Sequence, residues 1–255
     1  CAEPGTRFVY NNHGPATLGQ LVEDVTGVPL DRYFREQIFD PLEMADSDLL
    51  RSERVRSRLA TGYEIGSRGV KTVGERDMVT AGAASIYSTP NDMSRYLEAL
   101  LGGGGTEHGP ILKPETLAAM FEPHYQPDPR IPGMGLGFFR KDLSGHLVVR
   151  HQGTHPGFHS EIAAAPDHGV AVMAEHRLDQ PVLIVLGEKQ TKTEEVFLEY
   201  VFAKFPVFFE TFVHGHPLVK GDDRLIIDRV DGDRDELADT VDATVRGTTG
   251  VGHIE

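Results

Sequence analysis

Two short motifs hold the residue types from which a chemical role for this chain can be argued. The first is Tyr10-x-Asn12 and the second is His151-x-Gly153. Enzymes use both phenols and imidazoles to move protons, and an imidazole with an unperturbed pKa near 6.5 changes charge close to neutral pH. Each motif by itself is common, and a histidine on a strand is usually only hydrogen-bonded. Their significance therefore depends on their order and on the residues around them.

The two motifs belong to a longer series of residues that resembles the β-lactamase-related serine hydrolases. That family includes class C β-lactamases, serine D-alanyl-D-alanine carboxypeptidases and related esterases. The matching pieces occur in the family's order, and they are Pro4-Gly5-x-x-Phe8-x-Tyr10-x-Asn12-x-Gly14, Leu18-Gly19, Val25-Thr26-Gly27, Ile38-Phe39-x-Pro41-Leu42-x-Met44, Ala81-Gly82, Tyr87-Ser88-Thr89-x-x-Asp92-Met93, Gly135-Leu136-Gly137-Phe138 and His151-x-Gly153-x-x-Pro156-Gly157-Phe158. The resemblance covers roughly residues 4–176, and it is specific only as a set.

The resemblance implies a role for each candidate residue. Tyr10 would pass a proton to the leaving group, and Asn12 would hydrogen-bond the amide of the substrate. His151 would face the substrate from an edge strand, and Gly153 would leave room for the substrate's backbone. The amide of Thr154 would then supply one oxyanion-hole donor. The implied partner is a small-molecule or peptide substrate, and no cofactor is needed.

The family's attacking group is a serine that is followed three residues later by a lysine, so that both lie on one face of a helix. No serine among the 255 residues has a lysine three positions later. A phenol with a pKa near 10 is only about one part in a thousand ionised at neutral pH. Without that lysine nearby, the chain alone is predicted to be inactive. We therefore expect it to be the C-terminal two-thirds of a hydrolase, incomplete at the N-terminus, with its nucleophile upstream of Cys1.

Two functions are compatible with these residues. The first is part of a serine hydrolase that acts through an acyl-enzyme on a peptide, β-lactam, amide or small ester. The alternative is a non-catalytic penicillin-recognition-fold module that binds or scaffolds. The retention of Tyr10, Asn12, His151 and Gly153 favours the enzyme, because a decayed site would be free to lose them. The histidine at position 151, where a lysine would be a permanent cation, slightly favours a carboxypeptidase-like or esterase-like member over a dedicated β-lactamase.

Composition excludes several other classes of function. The net charge of −14 argues against nucleic acid and anionic membrane surfaces, both of which bind basic faces. No apolar run approaches the roughly 18 residues of a membrane span. One cysteine cannot form an internal disulfide. No metal site is predicted, because Pro156-Gly157 separates His155 from His159 and no ligand cluster accompanies His214-x-His216. These features determine neither the compartment nor the oligomeric state.

Local patterns predict an α/β fold of the α+β type, with an antiparallel sheet flanked by helices, a mainly helical lobe, and the pocket between them. Helices are predicted at 15–26, 29–39, 89–101, 114–121 and 181–205, and strands at 135–140, 146–151, 158–165 and 169–176. Residues 45–80 are predicted to form a long loop with short elements. Residues 1–205 are assigned to the β-lactamase-like domain. Residues 206–255 are assigned to an acidic C-terminal extension of uncertain structure, with a short helix at 236–245.

Overall fold

The structure is a computed structural model that describes residues 3, 5–67, 69–74, 80–143, 145–176, 182–186, 219–221 and 224–227. Most of the helices precede the strands, and the main sheet is antiparallel throughout. The α-helices are α1 (His13–Thr26), α2 (Leu30–Phe34), α3 (Glu53–Arg56), α4 (Pro90–Leu101) and α5 (Pro114–Phe121). The predicted class, helices packed with an antiparallel sheet, is confirmed.

Helix α1 begins at His13, two residues earlier than predicted. The side-chain oxygen of Asn11 accepts a hydrogen bond from the amide of Gly14 (2.8 Å), which satisfies one of the free amides of the first turn. The helix ends where the sequence predicts, because Gly27 adopts a left-handed conformation with φ of +68° and its amide bonds to the carbonyl of Glu23.

The predicted helix at 29–39 is present in two parts. Helix α2 continues directly into a π-helical turn, Arg35–Phe39, in which the amide of Asp40 bonds to the carbonyl of Arg35 five residues earlier. Phe39 closes this turn and is almost completely buried, in a cluster with Leu42 and Met44. The wider turn therefore ends on a core residue.

Helix α4 has the start and stop that its sequence predicts. The hydroxyl of Thr89 accepts from the amide of Asp92, Pro90 occupies the first turn, and the helix ends at Gly102. Its inner face supplies Leu97 and Leu100 to the main core. The other buried members of that core come from α5, the sheet and the residue just before β6, and they are Leu117, Phe121, Phe138, Val149, Ala164, Ala171 and Met173.

The main sheet has eight strands in the order β11-β12-β10-β9-β8-β7-β6-β5. Their bounds are β5 (Gly133–Met134), β6 (Phe139–Leu143), β7 (His146–His155), β8 (Phe158–Ala165), β9 (Val170–His176), β10 (Val182–Leu186), β11 (Val219–Gly221) and β12 (Arg224–Ile227). Successive strands from β5 to β10 are neighbours, as short turns between antiparallel strands require. This arrangement is the antiparallel meander that the turn residues predict.

Three sequence predictions are corrected by the sheet. Residues 181–205 were expected to be helical, but Val182–Leu186 is a strand that pairs on both sides, with β9 and with β12, and the rest of that range lies outside the described residues. A run of five apolar residues, three of them β-branched, suits a strand of this kind. Strand β6 starts four residues later than predicted, and β7 runs four residues further, to His155.

Two strands, Val219–Gly221 and Arg224–Ile227, lie in the C-terminal segment 206–255, and the second pairs with β10. The short helix predicted at 236–245 lies outside the described residues. Residues 45–80, predicted to be a long loop with short elements, contain such elements. They include α3 and a hairpin of β1 (Gly62–Gly66) and β2 (Gly69–Val73).

A smaller hairpin, β3 (Gly105–Thr106) with β4 (Gly109–Pro110), follows α4. Within the described part of the chain, no helix combines the length and apolarity that crossing a membrane would require.

Candidate active site

The structure brings Tyr10 and His151 together, although 140 positions separate them in the sequence. Their ring centroids are 6.2 Å apart with an interplanar angle of 41°. Tyr10 lies in the extended segment before α1 and is about half exposed, whereas His151 lies on β7 and is half-buried. The phenol and the imidazole therefore meet where the N-terminal segment crosses the sheet, with the phenol open to solvent.

Phe139, at the start of β6, connects the two rings. Its centroid is 6.3 Å from that of Tyr10, with the rings nearly parallel, and 5.9 Å from that of His151. Phe8 packs edge-on against the same ring at 6.2 Å and stacks on Tyr125 at 6.1 Å. Contacts at these distances and angles are those that aromatic quadrupoles favour. Neither Phe139 nor Tyr125 can be identified as a site residue from the sequence, because an isolated aromatic residue resembles any core position.

The half of β7 that carries the second motif has one unpaired edge. Strand β6 pairs only with residues 146–150, whereas β8 pairs with 149–155. His151, Gly153 and Thr154 therefore lie where the backbone of β7 has a strand partner on one side only, among the described residues. Gly153 and Thr154 are exposed. An extended substrate could hydrogen-bond to such an edge in the way that a further strand would.

The side chain of Ser160 lies close to Gly153 on the surface of the sheet. A Cβ atom placed there would lie 2.7 Å from the hydroxyl oxygen of Ser160, its partner on β8. That neighbour is a small side chain that can rotate, so a side chain at 153 meets no backbone. The glycine keeps this stretch of the edge flat and unobstructed.

The charges beside His151 favour its neutral form. Its pKa is lowered first by burial and then by the positive charge of Arg150, and a backbone hydrogen bond at Gln152 only partly opposes this. Arg150 donates to the carboxylate of Glu161 (2.6 Å), which is 5 % exposed. Burial raises the pKa of Glu161, against the opposing effect of Arg150. The imidazole is therefore an uncharged donor or acceptor at neutral pH.

Asn12 lies two residues after Tyr10, at the position just before α1, and is exposed. Its backbone carbonyl accepts from the amide of Ala16, but its side chain makes no capping hydrogen bond to the helix. The cap is instead made by Asn11. The side-chain amide of Asn12 therefore does not cap the helix and can hydrogen-bond a ligand.

Helix α1, which follows Tyr10 and Asn12, packs against the rest of the structure through Gly19 and not through the apolar side chains Leu18, Leu21 and Val25. Leu18, Leu21 and Val25 are more than half exposed, whereas Gly19 is buried. A Cβ at Gly19 would lie 3.1 Å from the Cα of Gly82, and a Cβ at Gly82 would lie 2.5 Å from the carbonyl oxygen of Pro15. Only glycines allow the two backbones to approach this closely.

The loop that carries Gly82 is anchored by a buried polar network. Asp48 pairs with Tyr87 through backbone hydrogen bonds, and its carboxylate binds the guanidinium groups of Arg35 and Arg54. These cations, with the hydroxyl of Ser52, hold the pKa of Asp48 below its usual range in spite of burial. The network fixes the loop at Tyr87, and the same loop contacts α1 at Gly82.

No cofactor or metal position emerges from this geometry. In the described part of the chain, no group of three or more His, Cys, Asp or Glu side chains is arranged to hold a metal ion. An open depression of about 510 Å³ lies at the end of α4, between Glu98, Thr106 and Leu112, and none of the predicted site residues lines it. We therefore place the candidate site at the Tyr10–His151 contact.

Comparison with known proteins supports the family that the motifs resemble. The family model described as beta-lactamase matches residues 2–181. The unguisins hydrolase of Aspergillus campestris is 30 % identical over 68 % of this chain, and the lovastatin esterase of Penicillium rubens is 31 % identical over 49 %. The chain spans about a third of the length of these curated relatives, 34 % and 33 % respectively.

Solved structures share the fold. The octameric penicillin-binding protein homologue from Pyrococcus abyssi superposes with a TM-score of 0.59 and 21 % identity, over 81 % of this chain and 44 % of that one. At this identity the likeness concerns the fold alone. The family match and the shared fold together account for the order of the motifs along the chain.

Proposed function

Because this chain belongs to the beta-lactamase family, we propose that it forms the part of a serine hydrolase that carries the proton-transferring tyrosine and the substrate-binding edge strand. The reaction would be acyl transfer through a serine ester, on a small ester, amide, lactam or peptide. The single observation that carries this proposal is the contact between the rings of Tyr10 and His151, 6.2 Å apart beside an unpaired strand edge.

The chemistry follows from the groups at that contact. A serine hydroxyl attacks the carbonyl carbon, and its proton passes to a basic group as the new C–O bond forms. When the tetrahedral intermediate collapses, the bond to the leaving group breaks, and Tyr10 returns the proton to the departing oxygen or nitrogen. Water then cleaves the acyl-enzyme by the same steps in reverse, which releases the acid and restores the serine hydroxyl.

His151 and the edge of β7 would act on the substrate side. The imidazole, whose neutral form is favoured by burial, would donate or accept a hydrogen bond on the substrate side of the phenol without a change of charge. The amide of Thr154, on the half of β7 without a second strand partner, would donate to the developing oxyanion. Asn12, whose side chain is free of the helix cap, would hydrogen-bond the substrate's amide or ester.

The attacking serine would come from a Ser-x-x-Lys segment that the 255 residues do not contain. Tyr10 and His151 would then complete a site whose nucleophile lies in other polypeptide. The lysine of that segment would also supply a positive charge that favours the ionised form of a nearby phenol. The activity of the whole protein is accordingly part of this proposal.

Mass spectrometry of the full-length gene product tests the proposal directly. We expect a covalent adduct of one acyl or phosphonyl group after exposure to a β-lactam or a fluorophosphonate, on a serine with a lysine three residues later. Peptide mapping identifies the modified residue, and serine-to-alanine substitution there should abolish the adduct. An unmodified protein with intact secondary structure by circular dichroism would instead support the non-catalytic binding module.

A further inference from the structure

The rings around the candidate site form an exposed apolar surface, here called the aromatic wall (Phe8, Tyr10, Tyr125 and Phe139). Each ring contacts at least one other at 6.1–6.3 Å between centroids. Phe8 is 40 % and Tyr10 is 52 % exposed, so much of this surface faces solvent. Contiguous apolar surface of this kind commonly marks a place where a ligand binds.

The cation that contacts the aromatic wall is already neutralised. The guanidinium carbon of Arg150 lies 5.8 Å from the centroid of Phe139, and its nitrogen is hydrogen-bonded to the buried carboxylate of Glu161. His151, a second basic group in contact with these rings, has a lowered pKa because it is partly buried and lies beside Arg150. A substrate carboxylate placed against Phe139 would therefore lose its hydration without gaining a free positive charge from Arg150 or His151.

From this juxtaposition of exposed rings and a cation committed to Glu161, we propose that the aromatic wall is the acyl-binding surface and that it selects uncharged, apolar acyl groups. The inference rests on the proposed hydrolase function and names its substrate class. Esters and amides with alkyl or aryl acyl groups would be the preferred substrates, and acyl groups that end in a carboxylate would be rejected.

The expected size of the preference can be given from the physics of burial. Each methylene that moves from water onto an apolar surface stabilises binding by about 0.8 kcal/mol, which is about a fourfold change in kcat/KM. Replacing the terminal methyl of the acyl chain by a carboxylate removes that gain and adds the cost of stripping water from a charge. We expect a discrimination on the order of 10²-fold.

The test uses the full-length gene product and two 4-nitrophenyl esters of nearly equal acyl length, the valerate and the hemiglutarate. We expect kcat/KM to be about 10²-fold higher for the valerate, and to rise about fourfold for each methylene from acetate to valerate. The Phe8→Ala variant should flatten that rise, because it removes an exposed ring of the wall. Leu21→Ala, which removes an equally exposed apolar side chain from α1, is the control and should leave the rise unchanged.

A second variant tests the charge argument. His151→Lys places a permanent cation beside the wall and should shift the valerate-to-hemiglutarate ratio toward the hemiglutarate by at least tenfold. Equal or better hydrolysis of the hemiglutarate by the wild-type protein overturns the inference and leaves the hydrolase function standing. A chain-length series that responds to Leu21→Ala as much as to Phe8→Ala also overturns it. Failure of the hydrolase function itself is distinguishable, since no ester would be cleaved and no serine adduct would form.

Discussion

The Arg150–Glu161 pair offers the sharpest test of the electrostatics around the site. In Glu161→Gln the side chain keeps its size and an oxygen that can accept from Arg150, but it loses its charge. The pair is neither fully buried nor on the surface, because the side chain of Glu161 is 5 % and that of Arg150 is 20 % exposed. Surface pairs contribute about 0–1 kcal/mol, and breaking a fully buried pair costs about 3–5 kcal/mol. We therefore expect a loss of about 2 kcal/mol in the free energy of unfolding.

The same substitution should lower the pKa of His151 further, because the charge of Arg150 is no longer balanced. The guanidinium carbon and the imidazole lie 5.8 Å and 5.9 Å from the Phe139 centroid, so they are at most about 12 Å apart. At such a separation the two positive charges repel each other unless a nearby anion offsets them. Removing the charge of Glu161 is therefore expected to shift the pKa of His151 downward.

Urea denaturation of the full-length protein, followed by far-ultraviolet circular dichroism, measures the first effect. The chain itself contains no tryptophan, so its backbone signal is the suitable probe. With a slope near 2 kcal/mol per M, the midpoint should fall by roughly 1 M. An NMR titration of the histidine Cε1 protons, assigned with a His151→Gln variant, measures the second effect.

The exposed pair of Arg32 on α2 and Glu36 in the π-helical turn provides the matched control. Its side chains are 67 % and 41 % exposed, and Glu36→Gln should change stability by less than about 0.5 kcal/mol. If Glu161→Gln were equally silent, Glu161 would be protonated or its charge solvated, and the account of a neutralised Arg150 would be wrong. An unchanged or raised His151 pKa in Glu161→Gln would refute the electrostatic coupling of Glu161 and Arg150 to His151.

Three further outcomes are expected of the full-length protein. Tyr10→Phe should lower the acylation rate by about 10²–10⁴, measured by stopped-flow with a chromogenic ester, and an unchanged rate would remove Tyr10 from the mechanism. Gly153→Val should block substrate binding and lose only about 1 kcal/mol in the free energy of unfolding, since its Cβ meets a hydroxyl that can rotate away. Gly157→Val should lose about 3 kcal/mol or more, because Gly157 has φ of +82° and a Cβ there would lie 2.7 Å from backbone. The folded-state pKa of His151 is below its unfolded value near 6.5, so its contribution to the free energy of unfolding is complete above about pH 6.5 and is lost as the pH falls below that value. The difference between the urea midpoints at pH 5.0 and pH 7.5 should therefore be smaller in His151→Gln than in the wild type.

Local sequence signals predicted those helices and strands whose ends are marked by a capping, turn or terminating residue. Thr89 and Pro90 mark the start of α4, and Gly27 marks the end of α1, so both helices form close to where the sequence predicts. Strand β8 also has its predicted bounds, because it lies between the turn residues Pro156-Gly157 and Pro166-Asp167. Strand β10 was predicted as a helix, since five apolar residues in a row carry no clear period and only pairing with β9 and β12 decides their state.

The sequence by itself determined the family, the antiparallel fold and the candidate residues Tyr10 and His151, because these depend on residue identity and order along the chain. Tertiary structure alone decided which aromatic rings surround them, that Arg150 is committed to Glu161, and that β6 stops short of His151 and leaves an edge unpaired. Those features arise from contacts between strands and segments that are far apart in sequence. Such contacts follow from the register of the strands and the path of the chain, which no local pattern encodes.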